Sequence, residues 1–383
     1  MSLPPLDAPE PLGPWADGRG RPSALRRRGR VPLPLLADPG GYRPCARTLR
    51  AGSPGHAAWV GLFRRHFHVL LGHERDRAAA AGEGEAENRR RREAAEAIFL
   101  PHLDAVGDTD VLRLCLARED ALEAAGIPDA FALAKAEAND EALTMLPGVL
   151  AEQDATAPAG RLAQAVTNVL AGNVYDLGAE ATIALHASGD AGFARVRARL
   201  RPRPWFTDDL DAFAAGGPWG RAVILVDNAG PDVVLGVLPL ARELLRLGGE
   251  VVLAANERPS LNDVTAAELP GLLDRAAAVD PALADAWAGG GEASGASGGL
   301  RVVSSGNDAP LIDLSAVSPA LAAASADAGL LVLVGMGRGF ESNRLARFGC
   351  DSLKACMLKD PNVAAEVGAE VFDLVARFEP GST

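Results

Sequence analysis

From Arg221 onward, short β-rich runs alternate with helical runs, and this alternation constrains the fold more than any other feature of the sequence. It is typical of a parallel sheet whose strands are joined by crossover helices. We expect a helix over residues 232–247, kinked at Pro239 and ended by Gly248 and Gly249. The predicted fold class is α/β with a Rossmann-like, mostly parallel sheet. Its predicted strands are 223–226, 250–254, 301–304 and 330–334.

The preceding region has a different pattern, because apolar residues such as Trp59 and Phe63 recur at helical spacing between about residues 59 and 200. A mainly α-helical N-terminal domain is therefore expected before the α/β domain. Prolines and an arginine cluster predict an extended or poorly ordered arm at the start, and a run of Gly, Ser, Ala and Glu predicts a flexible insert near 289–299. The predicted divisions are the arm at 1–40, the helical domain at 41–205 and the α/β domain at 206–383.

Composition limits the classes of partner. The 383 residues carry a formal net charge of -12, which argues against nucleic-acid binding, since such proteins present a basic face. An anionic substrate would have to be attracted by a metal ion or a few arginines. The four cysteines lack paired spacing, so we expect a reducing compartment, the cytoplasm. No apolar run is long enough to cross a membrane, and no pattern indicates an oligomeric state.

Polar side chains follow two neighbouring predicted strands. Asp227 and Asn228 come directly after the first strand, and Asn262 and Asp263 follow the second. Because ligands of open α/β sheets bind at the carboxyl ends of the strands, these four side chains can form one site. Their oxygen atoms suit magnesium or manganese, although Asp-Asn is also a common turn sequence. The last histidine is His186, so histidine-ligated zinc and Ser-His-Asp catalysis are excluded from the α/β half.

A glycine-rich segment, 335–339, follows the last predicted strand and contains Arg338, with Glu341 and Asn343 close behind. Its glycines would let backbone amides approach an anion, and Arg338 would add a fixed charge. An ordinary strand-to-helix turn also needs the glycines but has no use for Arg338 or Glu341. The segment does not match a dinucleotide fingerprint, because no G-x-G-x-x-G follows the first strand.

Two further patterns each leave two interpretations open. Lys354 and Lys359 are two of only three lysines, and in an arginine-rich chain they mark either a phosphate contact or a chance pairing. Asn173 and Asp176 lie between Gly172 and Gly178 in an apolar setting. They form either a turn with a helix cap or a polar group directed at a pocket.

Taken together, these segments resemble the metal-dependent damage-control phosphatases, formerly called domain of unknown function 89. The similarity is strongest to the branch found alone in plants and fused to pantothenate kinase-like domains in animals. It covers about residues 160–375, with the motifs in the same order. The motifs are 172–178 (GNVYDLG), 226–230 (VDNAG), 259–265 (PSLNDVT), 312–314 (IDL), 335–343 (GMGRGFESN) and 350–354 (CDSLK).

The resemblance implies a helical domain packed on a Rossmann-like domain, with a divalent metal ion at their interface. It implies hydrolysis of phosphate monoesters, in this branch 4'-phosphopantetheine and its oxidised or otherwise damaged forms. By the family pattern, Asn173 and Asp176 are groups on the substrate side, and a lysine of the Lys354 and Lys359 pair contacts the phosphate. The implied metal ligands are Asp227, Asn228 and Asp263.

Our hypothesis is a phosphatase that uses manganese, cobalt, nickel or magnesium to act on a small phosphate ester. Arg338 and one of the two lysines would spread the charge of the transferring group, and Asp227 would attack phosphorus or orient water. The expected substrate contacts are Asn173, Asp176, Asn262, Glu341 and Asn343. Two alternatives stay open: a sugar-phosphate phosphatase on the same site, and a metabolite- or nucleotide-binding protein without turnover.

Overall fold

Helices dominate the chain before residue 200 in the computed structural model, which describes residues 29–45, 47–174, 192–288 and 299–382. Capping residues explain where two of them begin. The Ser53 hydroxyl accepts a hydrogen bond from the His56 amide ahead of Pro54, and the Asp110 carboxylate caps the third helix in the same way. The helices are α1 (Pro54–Ala80), α2 (Glu85–Ala105), α3 (Val111–Ala124), α4 (Ala132–Ala155), α5 (Pro158–Gly172) and α6 (Phe193–Ala198).

The helical part and the α/β part share one hydrophobic core. Phe67 of α1 and Phe99 of α2 are buried, with ring centroids 4.6 Å apart. The same apolar cluster contains Leu311, Met336 and Leu358 from the second half of the chain. Within the described residues, no helix combines the length and apolar character needed to cross a lipid bilayer.

The second half folds around a seven-stranded sheet with the strand order β3-β9-β8-β7-β4-β5-β6. All neighbouring strands are parallel except β8 and β9, which are antiparallel. A separate two-stranded sheet joins β1 and β2 in the helical part. The strands are β1 (Thr48–Leu49), β2 (Thr109–Asp110), β3 (Thr207–Asp208), β4 (Arg221–Leu225), β5 (Glu250–Ala255), β6 (Leu300–Ser304), β7 (Leu330–Val334), β8 (Asp351–Met357) and β9 (Leu374–Glu379).

Helices and π-helical segments connect these strands. The helix expected over 232–247 is present, but its first part is a π-helix, Asp232–Val237. Pro239 lies just after the junction between this π-helical part and the α-helical part that follows it. A second π-helical segment, Met336–Glu341, follows β7. The α-helices of this half are α7 (Leu210–Ala214), α8 (Leu238–Arg246), α9 (Leu269–Ala277), α10 (Pro281–Trp287), α11 (Pro319–Ser325) and α12 (Pro361–Glu366).

The predicted α/β class and the four predicted strands are confirmed, whereas β8 and β9 were not predicted. In the predicted N-terminal arm, the described part packs against the α/β half and contains turns at residues 34–35 and 39–41. Val31 bridges to Val317, and Leu33 is fully buried. The rest of the arm, residues 1–28, and the insert at 289–298 lie outside the described residues. The domain boundaries remain a prediction.

The strand order creates a crevice at the carboxyl end of β4. From β4 the chain moves outward through β5 to β6, then returns to place β7 on the opposite side of β4. Connections on the two sides of this switch point leave in opposite directions, and ligands of open α/β sheets bind in the resulting gap. The segments that follow β4 and β7 are therefore the first place to look for a site.

Candidate active site

Asp227 and Gly335 bring the ends of β4 and β7 into close contact. Asp227 lies two residues beyond β4 and is buried, and Gly335 follows β7 directly. Gly335 has a φ of +94°, and a Cβ atom built on it would lie 1.9 Å from the Asp227 Oδ2 atom. Only glycine combines this backbone conformation with such a close approach. The glycine after β7 therefore makes room for the Asp227 carboxylate.

Arg338 links the two acidic residues that follow β4 and β5. Its Nη1 atom donates a hydrogen bond to Asp227 Oδ1. Its Nη2 atom donates to Asp263 Oδ2 at 2.8 Å and to Asn256 Oδ1 at 2.9 Å. The Asp263 carboxylate also accepts a hydrogen bond from the Asn256 amide at 2.9 Å. One buried guanidinium group thus holds two carboxylates at the switch point.

On the other side of Asp227, two amide side chains hold a third carboxylate, Asp232. The Asn173 Nδ2 atom donates to Asp227 Oδ2 at 3.1 Å and to Asp232 Oδ2 at 2.9 Å. The Asn228 Nδ2 atom donates to the same two oxygens at 3.0 and 3.1 Å. Asp232 Oδ1 is buried and has no hydrogen-bond partner among the described residues. Asn173, at the end of α5, therefore ties the helical half to the acidic cluster.

We call Asp227, Asp232 and Asp263 the acidic cluster. Burial raises the pKa of Asp227 well above its ordinary value, although the charge of Arg338 opposes that shift. Burial also raises the pKa of Asp232. Burial acts to lower the pKa of Arg338, but the Asp263 and Asp227 carboxylates outweigh it and the pKa is raised. Lys359 adds a second cation, and its Nζ atom donates to the Asn173 carbonyl oxygen at 2.7 Å.

A cavity of about 100 Å³ opens above the acidic cluster. Asp227, Asn228 and Asp263 line its floor, and Glu341 lines it from the π-helical segment after β7. Helical residues form the opposite wall, so the cavity lies between the two halves of the chain. These wall residues include Trp59, Phe63, His66, Cys115 and Arg118.

The chemistry of the floor suits a hard divalent cation. Within the described ranges, no group of three His, Cys, Asp or Glu side chains is arranged to hold a metal ion. However, Asp227, Asn228 and Asp263 supply carboxylate and amide oxygens, the ligands that such cations prefer. Asp232 Oδ1 is an orphaned acceptor in the same cluster, and a cation, the Arg338 guanidinium, already lies between Asp227 and Asp263. These residues therefore fit a metal ion in charge and ligand type.

The structure brings Asn173, Asp227, Asn228, Asp263, Arg338, Glu341 and Lys359 together, but it does not bring Lys354 to them. Lys354 lies in the interior of β8, where its Nζ atom pairs with Glu379 at 2.7 Å and donates to the Ala346 carbonyl oxygen at 2.8 Å. Burial lowers the pKa of Lys354. The surroundings of this lysine are thus those of a structural ion pair.

The other three predicted substrate contacts are Asn343, Asn262 and Asp176. The Asn343 side chain donates to the Arg338 carbonyl oxygen at 2.9 Å and accepts from the Tyr42 hydroxyl at 2.8 Å, so it supports the backbone beneath Arg338. Asn262 is buried, and its carbonyl oxygen accepts a hydrogen bond from the Ala229 amide at 2.9 Å. Asp176 lies outside the described residues.

Sequence reasoning missed Asn256, Asp232 and Arg118. Asn256 directly follows β5, so the rule that polar residues gather at strand ends would have found it. Asp232 begins a helical segment after Pro231, where an acidic residue usually serves the helix terminus. Arg118 lies on α3 and reaches the cavity through tertiary packing alone, so no local pattern indicates it.

Comparison with known proteins places the chain in a family. The model of the damage-control phosphatase ARMT1-like domain matches residues 64–375. Damage-control phosphatase At2g17340 from Arabidopsis thaliana is 43% identical over 277 residues, which cover 71% of this chain and 73% of that protein. Pantothenate kinase 2 from Oryza sativa subsp. japonica is 37% identical, over 91% of this chain and 41% of its own length.

Two further comparisons agree with this assignment. A 4'-phosphopantetheine phosphatase from Mus musculus is 30% identical over 91% of this chain and 48% of its own length. The chain therefore spans less than half of that relative and of the rice pantothenate kinase. The crystal structure of a DUF89 family protein from Pyrococcus horikoshii shares the fold, with a TM-score of 0.55 and 16% identity over 83% of this chain and 98% of that one. The predicted resemblance and phosphatase class are confirmed, and the chain belongs to the damage-control phosphatase family.

Proposed function

We propose that this protein hydrolyses the phosphate monoester of a small metabolite in a reaction that depends on a divalent metal ion. The acidic cluster is the observation that carries the proposal. Three buried carboxylates lie beside two cationic side chains, Arg338 and Lys359, at the switch point of the sheet. An anionic phosphate ester would be repelled by such a cluster unless a further cation joined it.

Asp227, Asn228 and Asp263 would hold this ion, and when bound it supplies a Lewis acid that polarises a phosphate oxygen. Manganese, cobalt, nickel and magnesium are the candidates. The oxygen-only donor set favours them over metals that prefer thiolate ligands.

The protein's own residues would position the phosphate and stabilise the charge that develops during transfer. Arg338 and Lys359 are the cations for this role, because both lie beside Asp227. We assign the lysine contact to Lys359, since the Lys354 ammonium group is paired with Glu379. Asn173 would keep Asp227 and Asp232 in fixed orientations through its amide group.

Hydrolysis joins a water oxygen to phosphorus and breaks the ester P–O bond, so that the alcohol leaves with a proton. Asp227 is our candidate for the carboxylate that either attacks phosphorus first or orients the water. Glu341 lines the same cavity and is a candidate contact for the substrate. Asn343 acts indirectly in this proposal, because its side chain supports the backbone that carries Arg338.

For the substrate we propose 4'-phosphopantetheine or its damaged forms. The mouse relative supports this choice, because it is named 4'-phosphopantetheine phosphatase and is similar to this chain over 91% of its residues. We also propose that the protein acts in the cytoplasm without binding nucleic acid. Its four cysteines are unpaired and buried, and its net charge is -12.

The test is a phosphatase assay on metal-stripped protein. Manganese, cobalt, nickel and magnesium are returned singly, and phosphate release from p-nitrophenyl phosphate and 4'-phosphopantetheine is measured. We expect turnover with at least one metal, and its loss in Asp227→Ala. Asp285→Ala removes an exposed carboxylate of α10 and should keep full activity. Absence of turnover with every metal, or undiminished turnover in a folded Asp227→Ala variant, would refute the proposal.

A further inference from the structure

A second cavity lies beside the one above the acidic cluster, and we propose that it binds the non-phosphate arm of the substrate. The arm would be an extended, uncharged chain that carries amide or hydroxyl groups. This inference rests on the phosphatase function proposed above. The cavity has a volume of about 460 Å³ and lies between the end of α3, residues 126–131 and residues 258–261. We call it the arm cavity.

The two cavities differ in volume, and each suits a different part of the proposed substrate. The cavity above the acidic cluster holds about 100 Å³, well below the roughly 300 to 1,000 Å³ of sites that enclose whole small molecules. It has space for a phosphoryl group and its immediate neighbours. The arm cavity falls within that range, so the rest of a metabolite can lie there.

The two cavities are neighbours that share lining at two places. Leu261 lines both cavities. On α3, Arg118 lines the smaller cavity and its neighbour Glu119 lines the arm cavity. A substrate with its phosphate at Asp263 would therefore extend past Leu261 to reach the arm cavity.

Leu261 has a backbone conformation that is unusual for its residue type. Its φ is +51°, in the left-handed region, which costs a residue with a Cβ atom about 1–2 kcal/mol. Such conformations persist where the surrounding structure imposes them, often at ligand sites. Here the strained residue separates the two cavities, two positions before Asp263. Leu261 therefore lies where the phosphate and the arm of the substrate would meet.

The lining of the arm cavity determines the class of ligand. Its walls are largely apolar, from Leu70, Leu122, Ile127, Ala130, Phe131 and Pro259. Five polar or charged residues complete the lining: Glu119, Glu123, Asp129, Arg258 and Ser260. At the inner end, the Ser260 hydroxyl donates to the Glu119 carboxylate at 2.9 Å, and at the rim Arg258 pairs with Glu123 at 2.5 Å.

Each charged residue of this lining already has an oppositely charged partner. Asp129 pairs with the Lys135 ammonium group at 2.6 Å, and Glu119 accepts from Arg118 Nε at 2.9 Å. Burial of a further charge would therefore be unfavourable, whereas Ser260 and Glu119 can share hydrogen bonds with an amide or hydroxyl group. A sugar needs a hydrogen bond for nearly every carbon, whereas the charged side chains of this lining are already engaged in ion pairs. The lining favours a chain such as the pantetheine arm over a sugar.

Two variants would test the arm cavity by reducing its volume. Ala130→Leu fills it from a buried position, and Pro128→Trp narrows it from an exposed one, so that the second carries the test if the first fails to fold. The readout is kcat/KM for 4'-phosphopantetheine divided by kcat/KM for p-nitrophenyl phosphate. We expect this ratio to fall on the order of tenfold or more. Ala134→Leu, a substitution outside both cavities on α4, should leave the ratio unchanged.

A binding measurement separates this inference from the proposed function. Pantetheine lacks the phosphate, so its binding, measured by titration calorimetry, needs no turnover. Binding to the wild-type protein and weaker binding to Pro128→Trp would support the arm cavity even in a protein that hydrolyses no ester. An unchanged ratio in a folded variant, or pantetheine binding that is absent or equal in wild type and Pro128→Trp, would overturn it.

Discussion

Replacing Gly335 with alanine tests how closely β4 and β7 approach each other at the site. A Cβ atom at this position would lie 1.9 Å from Asp227 Oδ2, and real Cβ atoms essentially never come within 3.0 Å of another heavy atom. The carboxylate or the backbone must therefore move by about 1 Å, a misplacement that costs roughly 100-fold in rate at a catalytic centre. The φ of +94° adds strain of about 1–3 kcal/mol.

The assay for Gly335→Ala is kcat/KM for p-nitrophenyl phosphate in the presence of the activating metal, together with the melting temperature. Gly368→Ala is the matched control, because Gly368 also has a positive φ, +72°, but a Cβ atom there would meet nothing within 4 Å. It should lower stability by about 1–2 kcal/mol and leave kcat/KM unchanged. A folded Gly335→Ala protein with wild-type kcat/KM would refute the assignment of Asp227 to the catalytic centre.

Four more substitutions test the charges of the structure. Asn173→Asp adds a carboxylate beside those of Asp227 and Asp232. It should lower the free energy of unfolding, measured by urea denaturation at pH 7, by about 3–5 kcal/mol. An unchanged value would contradict these contacts. Lys359→Met should lower kcat/KM roughly 100-fold, whereas Lys354→Met should keep kcat/KM and lower the melting temperature; the reverse pattern would contradict our choice of lysine. The Arg77 side chain, with help from Arg91, lowers the pKa of Glu83 from 4.5 to about 2, so Glu83 stabilises the fold above pH 4.5 and loses that effect as the pH falls toward 2. The melting temperature of Glu83→Gln should therefore be below wild type at pH 7, with a difference that vanishes near pH 2; a constant difference would contradict the ion pairs.

The sequence predicted the parts of the fold that local pattern determines. Strands β4, β5, β6 and β7 are apolar runs bounded by turn residues, so their positions could be recognised directly. β8 was missed because Lys354 interrupts its apolar run. Glu379 of β9 and the Ala346 carbonyl oxygen stabilise that charge, and sequence spacing does not reveal these contacts. β9 was missed as well, because its alternation of apolar and polar residues covers only Ala376–Glu379 and is too short to identify a strand.

In the candidate site too, local pattern predicted some residues, and others depended on long-range contacts. Asp227, Asn228 and Asp263 were predicted from their positions after strands, and the structure brings them together. The choice between Lys354 and Lys359 could not be made from the sequence, because both are in one short segment and only the fold separates them. Arg118 of α3 could not be predicted, because only the folded chain brings it to the cavity. Long-range packing, rather than local preference, decides these positions.

The most direct test of the metal-dependent site is a calorimetric titration of manganese into metal-stripped protein. We expect one binding site in the wild-type protein. We also expect loss of that site in Asp263→Asn, because the substitution removes one of two carboxylate ligands, and retained binding in Asp285→Ala. Equal manganese binding by wild type and Asp263→Asn, or no binding by the wild-type protein, would contradict the proposal that Asp227, Asn228 and Asp263 hold the metal ion.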